Sequence, residues 1–411
     1  MQNVKIKQPG IRSWIKGGIS ISVNSDISVV AYALTSLIII SSIIIQTVFS
    51  PGPILVSAYQ GNPVISWNKL TTEIILQHSM PPPRIARAYA LVHISIYDVL
   101  LTSKNLEINT SPGLERAIIT SAASEVLSYL FQDKINKIKK FALSQGILER
   151  NHDVDKLNLS SAIQLGQTVG KQVVMYAKKD GSNSVFNGTV PTGDCKWKGT
   201  NPLEPMAGQW NTFVLSSGAE IQPPPPETCN SEKYKTQVQQ VVDASHNRTT
   251  KQIEAIHYWG DKPPPIIWNS IFDESIKRHN LSIIDTARAL AYLNIGMYDA
   301  GISTWYTKFN YWTERPFQAA PSIITEISTP NFPGYTSGHS TFSGTAKVIL
   351  GEVFPDQKEY FDYQADEANM SRMWGGIHLL QDCEEGLAVG IKIGNMVLED
   401  MRSTPHTFIY K

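Results

Sequence analysis

ARAYALVHISIYDVL, residues 86–100, returns as ARALAYLNIGMYDAG at 287–301, with a spacing of 201 held from Arg87/Arg288 to Asp98/Asp299. Both stretches set apolar residues at three- and four-residue intervals, the period of a helix with a buried face. Matched alanines alone say little, because alanine is common in any helix. The paired Arg and the paired Tyr-Asp say more, and they point to duplication. Working outward, the same periodicity fills segments near 84–103, 113–145, 159–180, 231–259, 267–277, 282–303, 340–353, 359–371 and 380–401. No long alternating pattern marks a strand. The expected fold is therefore all-α, as two packed helical bundles related by duplication.

Between Asp180 and Thr228 the helical pattern stops. Gly and Pro are frequent there, and Pro223–Pro226 is an unbroken proline run. Trp197, Trp210 and Phe213 give this excursion apolar surface to bury, so it reads as an ordered connection rather than a flexible linker. The expected division is residues 1–58 as a leader or anchor with its linker, 70–228 as the first bundle with the proline-rich connection, and 229–411 as the second. Cys195 and Cys229 flank the excursion, and a disulfide there would close a long loop. Three unlinked thiols, with Cys383 left over in a helix, is the other reading. No C-x-x-C occurs to support a zinc ribbon or a thioredoxin-like centre.

Lys5, Lys7, Arg12 and Lys16 precede an uncharged run from Ile27 to Phe49. The run is long enough to span a bilayer core. It also suits a signal peptide, with Val56-Ser57-Ala58 as a small-residue cleavage site. A buried core helix is disfavoured, because such helices normally keep a polar face. Both main readings place the rest of the chain outside the cytoplasm, secreted or held at the membrane by its amino terminus. Sites such as Asn109 and Asn187 could then carry glycans.

Lys+Arg and Asp+Glu are 36 each, so the formal net charge is zero. That balance gives no general basic face for nucleic acid. Any anion site must be local. Three clusters near the C-terminus supply one: KFNYWTERP (308–316), FPGYTSGHSTF (332–342) and SRMWGGIH (371–378), with Asp382 four residues on. Arg315 and Arg372 offer planar donor forks and Lys308 a point charge. Ser337 and Gly338 stand where a helix begins, and free N–H groups and the helix dipole favour an anion there. His339 and His378 add a lone pair for a central atom and a proton carrier. One unit cation–anion contact is worth up to ~4 kcal/mol at 4 Å and an effective dielectric of about 20. Three such contacts would offset modest desolvation of a small dianion.

In this order, K-x6-R-P, S-G-H and S-R-x5-H resemble the vanadium haloperoxidase and type 2 phosphatidic acid phosphatase superfamily. Trp305 and Phe332 stand where the fungal chloroperoxidase branch has aromatic residues beside its cofactor. Looser likeness to bacterial and archaeal members of that branch runs from about Gln77 to Asp400. The resemblance implies two four-helix bundles with one site. It makes His378 the vanadate ligand, or the nucleophile of a phosphatase, and His339 the acid–base group. Lys308, Arg315, Arg372, Ser337 and Gly338 would hold the oxyanion, and Trp305 and Phe332 would wall the pocket. The implied activity is oxidation of halide by hydrogen peroxide, with vanadate as cofactor and an organic acceptor for the halogen. The alternative is hydrolysis of a phosphate ester, which needs no cofactor; a non-catalytic anion-binding protein is a third reading. Thr336 replaces a common Pro, and Glu314 precedes the motif Arg, where it could pair with Arg315 or point to water. Asp382 reads as a surface carboxylate, with orientation of His378 as its alternative. His93 and His257 read as core residues. The chain has no G-x-S-x-G elbow, H-E-x-x-H pair, Walker A loop or C-x-x-C-H.

Overall fold

The computed structural model describes residues 61–108, 111–147 and 156–409. The basic amino terminus, the apolar run, the cleavage site at 56–58 and Asn109 lie outside them. Among the described residues are 13 α-helices and no strand. The first half contains α1 (Pro63–Ile75), α2 (Pro82–Asn105), α3 (Pro112–Leu130), α4 (Ile135–Ala142) and α5 (Lys156–Ala177). After the excursion come α6 (Glu232–His246), α7 (Thr250–Gly260), α8 (Pro264–Ser275) and α9 (Ile283–Tyr311). The last are α10 (Pro316–Ala319), α11 (Gly338–Val353), α12 (Lys358–Trp374) and α13 (Leu380–Arg402).

The duplication reaches well beyond the fifteen residues that announce it. Trp67 on α1 donates its indole N–H to Thr120 on α3 (3.3 Å), as Trp268 on α8 donates to Ser343 on α11 (2.9 Å). His78 bonds Ile74 O and Asp133 and lies against Phe131; His279 bonds Ser275 O and Asp356 and lies against Phe354. Arg87 donates to the carbonyl of Ala177 at the end of α5, and Arg288 to that of Met401 near the end of α13. Buried Asp98 accepts the N–H groups of Phe408 and Ile409, and buried Asp299 those of Phe213, Val214 and Leu215. Each carboxylate pins the chain that follows the last helix of one half. These shared contacts explain why Arg87/Arg288 and Asp98/Asp299 recur, as Trp67/Trp268 and His78/His279 do at the same spacing.

The repeated helices α2 and α9 pack on each other, and one apolar cluster runs from Val64 to Phe408 through both halves. In the second half α11 and α13 approach closely at Gly390, where a Cβ would lie 2.2 Å from the Thr341 carbonyl. Gly166 makes the matching approach of α5 to α3, at 2.5 Å from the Ile118 carbonyl. No side chain fits such a contact, so glycine sets the spacing of both pairs.

The excursion is ordered, with Trp197 and Trp210 buried and Phe213 packed on the core. A disulfide joins Cys195 and Cys229. Several helix spans differ from the sequence reading. The stretch 113–145 breaks at Phe131, and 231–259 breaks before Thr249, whose side chain forms a capping box with Gln252. Helix α9 runs on to Tyr311 rather than ending near 303, which places Lys308 in its last turn.

Candidate active site

Five pieces of the second half converge. The end of α9 carries Trp305 and Lys308, and the turn before α10 carries Arg315. The loop into α11 carries Phe332 and Ser337, with Gly338 and His339 opening that helix. Helix α12 ends with Arg372, and the turn into α13 carries His378, followed by Asp382. Gly376 makes that turn at φ +80°, where a Cβ would also press on Ile323 at 3.0 Å. Any other residue there would be strained.

Lys308, Arg315 and Arg372 are 0, 0 and 1% exposed. Arg315 donates from Nε to Phe332 O (3.0 Å) and from Nη1 to Ile377 O (2.8 Å) and His378 Nε2 (2.9 Å). Its Nη2 is buried and has no partner among the described residues. Arg372 donates from Nε to Ser371 Oγ and from Nη2 to Ile256 O, leaving Nη1 without a protein acceptor among the described residues. The Lys308 ammonium donates to the carbonyls of Pro333 (3.0 Å), Gly334 (2.7 Å) and Thr336 (2.5 Å). All three of its protons are thus committed, so it faces an anion as a fixed charge rather than as a free donor. The Thr336 carbonyl serves this lysine whatever side chain stands there. Burial, with Arg315 close by, pushes the Lys308 ammonium well below its usual range. Burial likewise lowers Arg315 to about 10 and Arg372 to about 9.

Ser337 caps α11: its Oγ accepts from Ser340 N–H at 3.3 Å and lies 2.8 Å from Ser340 Oγ. Its hydroxyl is spent mainly on building the helix start. The main-chain N–H groups of Gly338 and His339 find no protein acceptor among the described residues, as expected for a first helical turn.

His378 is 3% exposed and sits between Asp382 Oδ2, 2.9 Å from Nδ1, and Arg315 Nη1, 2.9 Å from Nε2. Arg315 can only donate, so Nε2 must hold its lone pair and Nδ1 the proton. Asp382 is therefore no surface carboxylate. It is 4% exposed, also accepts the Leu379 N–H, and burial raises it to about 6 despite the pull of Lys308 and Arg315. His339 places Nε2 2.7 Å from the Trp259 carbonyl, which fixes that proton and leaves Nδ1 as the acceptor. Burial and the neighbouring cations hold both rings well below the usual histidine range, hence neutral.

The Trp305 and Phe332 rings meet at 4.9 Å. Lys308 Nζ lies 5.3 Å and Arg315 Cζ 5.1 Å from the Phe332 ring centroid, so both cations contact the same aromatic wall. Glu314 does not pair with Arg315; it is largely buried at the edge of a cleft beside Cys195. It accepts from Tyr234 OH (2.6 Å) and lies 3.5 Å from Lys198. His93 is buried in the core as read, bonded to Asn68. His257 is not a core residue; its side chain is 48% exposed and paired with Glu326.

The set fits a tetrahedral oxyanion such as vanadate. Among the described residues, donors at Arg315 Nη2, Arg372 Nη1 and the α11 terminus lack acceptors, and the His378 lone pair faces the same cations.

No family model and no curated protein sequence matches this chain. Among solved structures it is similar to a bacterial vanadium-dependent iodoperoxidase, with a TM-score of 0.71 and 24% identity over 84% of this chain and 97% of that one. It is also similar to a bacterial vanadium-dependent chloroperoxidase in its apo form, with a TM-score of 0.68 and 13% identity over 79% of this chain and 95% of that one. The holo form gives 0.66 and 12% over 79% and 93%. At these identities the likeness is one of architecture, and the architecture of this chain is the all-helical fold of the vanadium-dependent haloperoxidases.

Proposed function

We propose that the protein is a vanadate-dependent haloperoxidase that oxidises halide with hydrogen peroxide and passes the halogen to an organic acceptor. One observation carries this reading: three buried cations face a single buried carboxylate, with donors left over. Such an excess calls for a dianion. His378 Nε2 would bond the central atom, and Arg315 Nη2, Arg372 and the Gly338 N–H would hold the oxygens. Lys308 would add charge from behind its carbonyl cage. When bound, vanadate supplies a Lewis-acid centre that activates peroxide without changing its oxidation state. The neutral His339 ring accepts a proton from incoming peroxide at Nδ1 while Nε2–H stays on Trp259 O. Trp305 and Phe332 exclude water, which strengthens every charge-assisted bond in the site.

The His378–Asp382 pair supports a second reading, because an oriented ring whose Nε2 lone pair Arg315 gives up to an incoming anion also suits a phosphatase nucleophile. One assay series separates the two. On vanadate loading, a haloperoxidase gains peroxide-dependent halogenation of a phenolic dye, with iodide, bromide or chloride as donor, and loses any phosphatase activity. Ester hydrolysis by the apoprotein, inhibited by vanadate and with no halogenation at any pH, would assign the phosphatase instead. A His339→Ala protein unchanged in every assay would leave a non-catalytic anion binder.

We place the protein outside the cytoplasm; the basic-then-apolar amino terminus and the Cys195–Cys229 bridge support this. Expressed with its own amino terminus, it should appear in the membrane or extracellular fraction. Freely soluble, full-length cytosolic protein would refute the placement.

A further inference from the structure

The Cys195–Cys229 disulfide joins two stretches of chain, each tied to a different wall of the oxyanion site. At one end, the Cys195 carbonyl accepts the N–H of Glu314 (2.9 Å), next in sequence to Arg315. Two residues on, Trp197 N–H donates to Trp312 O (2.8 Å). Cys195 is held at φ +55°, a left-handed conformation that a residue with a Cβ rarely adopts. At the other end, Glu227 N–H bonds the side chain of Gln381 (3.1 Å), next to Asp382, and Pro224 O accepts from Tyr335 OH (2.5 Å), two residues before Ser337. Between the two ends, Leu203 O accepts the Trp305 indole N–H (3.2 Å). Closing the loop therefore fixes the Arg315 turn against the His378–Asp382 turn.

We propose that the Cys195–Cys229 bridge is a redox-controlled clasp that sets the affinity of the site for its oxyanion. The inference rests on the oxyanion-site reading above. Opening the clasp breaks the S–S bond. A dithiol reductant supplies two electrons and two protons, leaves two protein thiols, and becomes a cyclic disulfide. Cys195 is then free to leave its left-handed conformation. In doing so it withdraws the carbonyl that positions Glu314, and the Arg315 fork loses its alignment with His378. Both cysteines are partly exposed, and Cys195 lines an open cleft of about 460 Å³, so a small dithiol reaches the bond.

The test is calorimetric titration of the full chain with inorganic phosphate, which thiols do not reduce. It is run on oxidised protein, on protein held reduced by a dithiol, and on protein reoxidised afterwards. Reduction should weaken phosphate binding about tenfold with the helical circular dichroism signal intact, and reoxidation should restore it. The Cys195→Ser/Cys229→Ser protein should bind like the reduced form and ignore the dithiol. A variant destabilised elsewhere, Ile138→Ala in α4, should keep the oxidised affinity, which separates alignment from general loss of stability. Equal affinity in oxidised and reduced protein overturns the clasp. Failure of the oxidised parent to bind phosphate or vanadate overturns the oxyanion reading instead.

Discussion

Arg315 Nη2 and the two histidine rings decide what the site can do. The apoprotein should show His378 protonated at Nδ1 and His339 at Nε2, with both rings neutral at pH 6. Long-range proton–nitrogen NMR of the imidazoles reads this directly, and a charged ring at pH 6.5 would contradict it. Asp382→Ala should weaken vanadate binding 10- to 100-fold, roughly the cost of losing a partner that orients a ligating histidine. Calorimetry checks the loss, and unchanged affinity would show that Arg315 alone holds the ring. At this scale the sequence was informative because oxyanion chemistry needs particular residue types at fixed spacings. The same spacings could not show that Lys308 spends its protons on carbonyls. They also left Asp382 at the surface, since a carboxylate four residues after a histidine looks the same whether buried or exposed.

Helix ends and crossings place those residues. Gly390→Ala should push α13 away from α11 and cost about 1–3 kcal/mol, the usual scale for overpacking. Because α11 carries Ser337–His339 at its start, anion affinity should fall along with stability; urea denaturation and phosphate titration read the two effects. Helix α1 was not legible, because ten of its 13 residues are buried and polar Ser66, Asn68 and Thr71 among them blur the narrow polar face of Lys69, Thr72 and Glu73. Helix α9 was read short for a related reason. Its last turns are buried around Trp305 and Lys308, where a lysine signals solvent in most helices. The break at Thr249 rests on a capping box, a local contact that apolar periodicity alone does not reveal.

Across the whole molecule, buried titratable groups pull stability in opposite directions with pH. Burial lowers His93 to about 3, so its folded form resists the proton that the unfolded chain takes up near pH 6.5. Stability is lost on this account as pH falls below 6.5. Burial raises Asp273 to about 7, so its contribution is complete in acid and disappears as pH rises toward 7. His93→Asn copies the second half, where Asn294 bonds Asn269. It should stabilise the fold by about 2 kcal/mol at pH 5 and hardly at all at pH 8. Asp273→Asn keeps an acceptor for Asn68 and should stabilise at pH 8 but not at pH 4. Urea denaturation at these pH values checks both signs. The duplication behind these paired positions is read most easily from Arg and Tyr-Asp, but the same spacing of 201 also relates Trp67 to Trp268, Asn68 to Asn269 and His78 to His279. Elsewhere the halves keep partners rather than letters, as where Thr120 and Ser343 meet matching tryptophans.

The pairing of α2 with α9 also sets a clock. The ribosome finishes α2 at Asn105 and does not finish α9 until Tyr311. At roughly 5–20 residues per second, the apolar face of α2 waits on the order of 10–40 s for its match. Through that interval the nascent first half is sticky, and a chaperone or a membrane surface must cover it. Chains stalled after Asn230 should accumulate on holdases or in aggregates, whereas chains stalled beyond Lys411 should resist protease.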